Sequence, residues 1–229
     1  MNHTFRTQFV GLMKASHFGP TVLVVAITFV LSITQLSFSE ALFVSFAILL
    51  GQFVVGWTND FVDFSKDAAA KRGQKPLVAG TINPKTLRIS IFIALTSALF
   101  VSLMSPLGIS GSAIHFIGLL SATAYNLKLK ATVFSVLPYI VSFGALPWAI
   151  FSAAGSSPPS WLVFAFILFA SAFHFLNVLK DLESDIGQDV LGLPQVFGRN
   201  KSIATATILA GLGVIVVVVS NFTIYFNLD

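Results

Sequence analysis

Seven of the nine acidic residues in this chain fall into two groups of similar spacing. The first reads Asn59-Asp60-x-x-Asp63-x-x-x-Asp67. The second reads Asp181-x-Glu183-x-Asp185-x-x-x-Asp189. If each group is helical, at about 100° per residue, Asp60, Asp63 and Asp67 stay within about 60° of one another, and Asp181, Asp185 and Asp189 within about 80°. Each group then stacks three carboxylates on one helical stripe. Like charges at this spacing destabilise a helix by roughly a few tenths of a kcal/mol per pair. At a helix C-terminus they also oppose the backbone dipole. Two helices that both accept this cost point to a shared cation. Carboxylate oxygens are hard ligands, and Mg²⁺ takes a few of them together with substrate phosphate. The expected metal ligands are Asp60, Asp63, Asp67, Asp181, Asp185 and Asp189.

Basic and polar residues surround these acids. Lys71-Arg72-Gly73-Gln74-Lys75-Pro76 follows the first group, and Tyr125-Asn126-Leu127-Lys128-Leu129-Lys130 lies between the two groups. Metal-bound acids with Lys, Arg and Tyr donors make a pocket for a phosphorylated ligand. The stripes continue away from the acids as Gln52, Gly56, Asn59/Asp60 and Asp63 on one helix, and as His174, Asn177, Asp181 and Asp185 on another. A polar side chain inside a span faces the bundle interior or a wet cavity. His174 and Asn177 also fit plain helix-to-helix hydrogen bonding.

The elements that must position these groups are membrane helices. Of the 229 residues, 55% are hydrophobic and 10% charged, with 24 Phe, and mean hydropathy is +0.88. A soluble domain carries about 25% charged residues, so the chain is an integral membrane protein. There is no Cys, which excludes disulfides, thiolate metal sites and Cys nucleophiles. Seven charge-free apolar stretches run over 18–36, 41–58, 89–107, 111–126, 132–152, 160–179 and 203–226. Their length predicts helices, since barrel strands would be about ten residues long and alternating. The first is a retained helix rather than a signal peptide, having no clear cleavage site and six further spans behind it. The predicted fold is all-α: one polytopic bundle of about seven spans over residues 1–229.

With the N-terminus in the cytoplasm, all 13 Lys and Arg fall on that side, in the N-terminal segment and the loops 59–88, 127–131 and 180–202. This is the positive-inside pattern. It places both acid groups near the cytoplasmic face of a multi-pass protein of the cell membrane. Basic residues beside spans set orientation and meet anionic ligands, so no nucleic-acid partner is expected.

These motifs resemble those of the UbiA family of intramembrane prenyltransferases. Its first signature, N-D-x-x-D-x-x-x-D, is met by Asn59, Asp60, Asp63 and Asp67. The basic stretch with a Pro and then a Gly that follows is matched by Lys71 to Gly80. Its second, D-x-x-x-D, is met by Asp181 and Asp185, with Asp189 as a third acid, and Gly192 to Gly198 resembles the continuation. Tyr125 and Lys130 resemble a tyrosine and lysine in the loop between the fourth and fifth helices. Lys14 to Pro20 resembles the approach to the first helix. The resemblance covers about residues 14–200.

The resemblance implies a UbiA-like fold and Mg²⁺-dependent transfer of a prenyl group from a prenyl diphosphate to an aromatic or other lipophilic acceptor. It implies catalytic roles for Asp60, Asp63, Asp67, Asp181 and Asp185, and substrate contacts from Asn59, Arg72, Lys75, Tyr125, Lys130 and Asn177. The family fold has nine helices, against seven spans counted here. The alternatives are a truncated or inactive isoprenoid-binding paralogue and a membrane transporter. A transporter would place its charges near the bilayer midplane, where this chain has none. A CDP-alcohol phosphotransferase would need an Asp-Gly and Ala-Arg element that is absent.

Overall fold

The computed structural model describes residues 5–187 and 190–226, which form helices, turns and no strand. The helices are α1 (Phe5–Ala15), α2 (Phe18–Ser32), α3 (Phe38–Ala69), α4 (Pro84–Met104), α5 (Gly108–Leu127), α6 (Leu137–Ala153), α7 (Ser160–Val178), α8 (Leu182–Ile186) and α9 (Leu193–Phe226). A 3-10 turn, Leu129–Ala131, lies between α5 and α6.

Local chemistry sets several ends. Ser37 and Glu40 form a reciprocal capping box at the start of α3. The Asn83 side chain accepts from the Thr86 N–H, and Pro84 opens α4 where its missing N–H is harmless. Gly198, at φ 73°, breaks α9 near its start.

Every predicted span is represented by a helix, with shifted ends. Helix α3 runs past the apolar stretch to Ala69, so Asp60, Asp63 and Asp67 do share one continuous helix. The expected 132–152 helix begins at Leu137, because Thr132 and Ser135 take part in turns and Pro138 sits in the first turn. The second acid group corrects the expectation of a helix running on from the sixth span. Helix α7 stops at Val178, and Asp181 takes the N-cap position of the short α8. The break removes Asp181 from a helix C-terminal turn, where its charge would oppose the dipole. Asp189 lies outside the described residues.

The protein is a multi-pass membrane protein. By length and apolarity, four of the described helices can cross a membrane: α3, α4, α7 and α9. Counting the α1–α2 pair, bent by 66°, as one span gives five. Helix α6 is apolar but shorter, at 17 residues. Large apolar side chains such as Phe92, Phe100, Ile109, Leu120, Phe164 and Val219 are exposed, as a lipid-facing surface requires.

Packing runs α2 on α3, α3 on α4 and α5, α5 on α6, α6 on α7, and α7 on α9, with α2 also meeting α6. One buried cluster joins Ala15, Val54, Trp57, Leu87 and Leu119. Another joins Val44, Ile48, Leu146, Ala149 and Ile150. A cavity of about 540 Å³ opens between these layers.

Candidate active site

The cavity has a charged mouth and a mostly apolar interior, with Thr21, Gln52, His115 and Ser142 also in its lining. Asp63, Asp67, Lys75, Lys130, Asp181 and Asp185 line its mouth. Ile48, Leu119, Leu146 and Ala149 line its depth. Both acid groups therefore face one space, one from α3 and the other from the α7–α8 break.

On the α3 wall each carboxylate is clasped by a base. Lys130 Nζ, from the 3-10 turn, donates to Asp63 Oδ1. Asn59 Nδ2 donates to Asp63 Oδ2 at 3.1 Å and reaches Asn126 Oδ1 at 3.4 Å. Asn126 in turn donates to the Val55 carbonyl at 2.8 Å, which ties α5 to α3. Arg72 donates to Asp67 Oδ1 at 3.2 Å, and its backbone N–H reaches the Asp67 carbonyl at 3.0 Å. The preceding Lys71, at φ 52°, makes the turn that brings Arg72 back.

On the facing wall, Gln195 Nε2 from α9 donates to Asp185 Oδ2 at 2.9 Å. Burial pushes the Asp185 carboxyl above its ordinary range, and the Asp181 charge adds to this, while Gln195, Arg72 and Lys130 oppose it. Gly192 lets this wall close. A Cβ there would lie 2.6 Å from both the Lys130 carbonyl oxygen and Gln195 Oε1.

Of the expected substrate contacts, Asn59, Arg72, Lys75, Tyr125, Lys130 and Asn177 all line the cavity. Tyr125 stands edge-on to Tyr139 at 5.4 Å, and Tyr139 also lines the cavity. Of the polar stripes, Gln52, Gly56, Asn59 and Asp63 line it on α3, and Asn177, Asp181 and Asp185 on the other side. His174 does not. It is fully buried, bonded to Ser135 at 3.1 Å and packed on Tyr139, so it serves helix packing.

Asp60 is also absent from the lining. It is buried, and its Oδ1 accepts from Lys75 Nζ at 2.7 Å and pairs with His17 Nε2 at 2.9 Å. Sequence reasoning missed His17, Asn126 and Gln195. The only signals were the stretches Lys14–Pro20, Tyr125–Lys130 and Gly192–Gly198, which contain them without singling them out.

The donor set bears on metal binding. No group of three Asp, Glu or His side chains converges among the described residues. Mg²⁺ is commonly held by one or two carboxylates, with water and substrate phosphate completing the shell. Two pairs of cavity-facing carboxylates fit that kind of ion and not a cage made wholly of protein ligands.

Fold and site together define a helical membrane protein with a charged mouth over a mostly apolar chamber. The chain belongs to the UbiA prenyltransferase family, whose model matches residues 18–228. It is 28% identical over 155 residues to the digeranylgeranylglyceryl phosphate synthase of Methanopyrus kandleri (strain AV19). That match takes in 66% of this chain and 56% of the relative, so the chain spans little more than half of it. A solved structure concerning digeranylgeranylglyceryl phosphate synthase in membranes superposes with a TM-score of 0.68 at 20% identity. It covers 91% of this chain and 76% of that one, a likeness of fold.

Proposed function

We propose that this protein is a Mg²⁺-dependent intramembrane prenyltransferase, moving a prenyl group from a prenyl diphosphate to a lipophilic acceptor with release of diphosphate. The observation that carries this reading is one cavity with acids and bases at its mouth and a mostly apolar interior. A prenyl diphosphate has the same division, a charged head on an apolar tail. Family membership supports the reaction class. The name of the Methanopyrus relative describes a product, a glyceryl phosphate carrying two geranylgeranyl groups, and so favours as acceptor a glyceryl phosphate carrying one such group over an aromatic ring.

Asp63 and Asp67 on one wall, and Asp181 and Asp185 on the other, would hold the metal ions, with Asp189 a further candidate. Bound there, Mg²⁺ supplies Lewis-acid stabilisation of the departing diphosphate. Lys75 and Lys130 each have three N–H donors, and the acid each clasps uses one, which leaves donors for phosphate oxygens. Arg72 adds a planar fork suited to phosphate. As the allylic C–O bond ionises, these groups stabilise the negative charge that collects on the leaving oxygen. The allylic cation is then sheltered from water by the apolar walls. Tyr125, Tyr139 and Phe143 line the cavity, and aromatic rings there would favour its positive charge. The acceptor attacks this carbon, and the proton it gives up passes to the released diphosphate, so that the step balances without a base from the protein.

The positive-inside distribution of the basic residues supports a cytoplasmic side for the N-terminus and the cavity mouth. The test is Mg²⁺-dependent binding of geranylgeranyl diphosphate to the detergent-purified protein, followed by an acceptor screen. Binding that needs Mg²⁺ and is lost in Asp63→Ala and Asp185→Ala supports one shared diphosphate site. No binding by folded wild type across several chain lengths overturns the reading. Binding without turnover on any acceptor favours an inactive isoprenoid-binding paralogue.

A further inference from the structure

Asp60 stands apart from the other aspartates of the site. Its side chain is 2% exposed, as deeply buried as that of Asp67 at 4% and unlike that of Asp63 at 20%. It contributes nothing to the cavity lining, whereas Asp63, Asp67, Asp181 and Asp185 all do. One of its oxygens already takes both Lys75 Nζ and His17 Nε2. Those two donors come from separate segments, the turn region after α3 and the α1–α2 break, and both line the cavity.

We infer that Asp60 is a positioning residue, which aims Lys75 and His17 at the diphosphate and gives no oxygen to a metal ion. The inference rests on the prenyl diphosphate reading above and assigns this first motif acid a role within it. Lys75 keeps two N–H donors after bonding Asp60, and its side chain is 21% exposed. The His17 ring keeps its Nδ1 edge, with the side chain 37% exposed. A buried carboxylate between two donors fixes where both point, which a loop lysine and a helix-break histidine would otherwise not share.

The local backbone is built around this arrangement. His17 holds a left-handed conformation, φ 52° and ψ 59°, that a non-glycine residue seldom adopts. One turn before Asp60, Gly56 lets the break lie against α3, since a Cβ there would come 2.8 Å from the Ser16 carbonyl oxygen. Thr21 Oγ1 donates to that same carbonyl at 2.7 Å, and Trp57 Nε1 donates to the Leu12 carbonyl at 2.9 Å.

The test measures geranylgeranyl diphosphate affinity as a function of Mg²⁺ on the full detergent-purified chain, with the melting temperature of each variant. Asp60→Ala and Lys75→Met are each expected to weaken binding about tenfold, as loss of a charged hydrogen bond implies. The double variant should weaken it no further than the worse single one. Asp60→Asn keeps an acceptor oxygen and should restore affinity to within about threefold of wild type. Its Mg²⁺ midpoint should stay at the wild-type value, while that of Asp63→Asn moves up. A midpoint that moves in Asp60→Asn as it does in Asp63→Asn overturns the inference and makes Asp60 a ligand. A lowered melting temperature with unchanged affinity in Asp60→Ala reduces it to a structural tie. Should Asp60→Ala not fold, unchanged affinity in both Lys75→Met and His17→Gln, whose side chains are partly exposed, also overturns it. Wild type that binds no prenyl diphosphate defeats the functional reading and this inference together.

Discussion

Lys130 and Asp63 are joined across the cavity mouth although 67 residues separate them in the chain. The lysine sits on a 3-10 turn and the aspartate on the longest unbroken helix. Asp63→Ala removes a cavity-facing oxygen and leaves the ammonium without its partner. We expect turnover to fall by about 10²–10³, read in a single-turnover prenyl transfer assay. Lys130→Met should weaken diphosphate binding while keeping a Mg²⁺ requirement, measured by titration at fixed Mg²⁺.

Chelation is a separate test. No three ligating side chains meet among the described residues, so the protein alone should hold Mg²⁺ weakly. Calorimetry without prenyl diphosphate should show little heat on adding Mg²⁺. With prenyl diphosphate present, EDTA should abolish binding and excess Mg²⁺ restore it. Tight Mg²⁺ binding by the ligand-free protein would count against a site completed by substrate.

Gly56 tests the contact that positions His17. The atoms nearest a Cβ at this point are backbone atoms of Ser16 at 2.8 and 2.9 Å, which cannot rotate away. Gly56→Val should destabilise the protein by about 1–3 kcal/mol, seen as a lowered melting temperature in detergent. Gly73→Val, where nothing lies within reach of a Cβ, is the matched control and should melt like wild type.

Ser135 links three elements on the other wall. Its Oγ takes the Leu193 N–H at 2.9 Å and bonds His174 Nε2 at 3.1 Å. Ser135→Ala leaves both groups unpaired, at a cost of about 1–3 kcal/mol. Because Leu193 begins the helix that carries Gln195, prenyl diphosphate affinity should fall with stability. Gln195→Leu should lower that affinity with a smaller change in melting temperature, the two being compared by thermal melts and ligand titration.

The first acid wall was legible in the sequence because helical spacing and membrane burial agreed there. The period of Asn59, Asp60, Asp63 and Asp67 continues the stripe begun by Gln52 and Gly56, and α3 carries both without a break. The second wall misled for the same reason. Asp181, Asp185 and Asp189 have helical spacing, but two of these acids at the end of a long helix would face its dipole, and the chain breaks after Val178 instead. Helix α1 went unread because its sequence, FRTQFVGLMKA, is too polar to register as a span. The pairing of His17 with Asp60, 43 residues away, has no sequence period. It arises from a bend and a glycine contact that only the packed structure displays.

The separations along the chain also order events during synthesis. Arg72 follows Asp67 by five residues and Lys75 follows Asp60 by fifteen, so the cations of these acids are synthesised within moments of them. Asp63 must wait another 67 residues for Lys130. At about 5–20 residues per second, that is roughly 3–13 s. Through that interval Asn59 is the one of its two partners already made, and the arrival of the 3-10 turn supplies the cation.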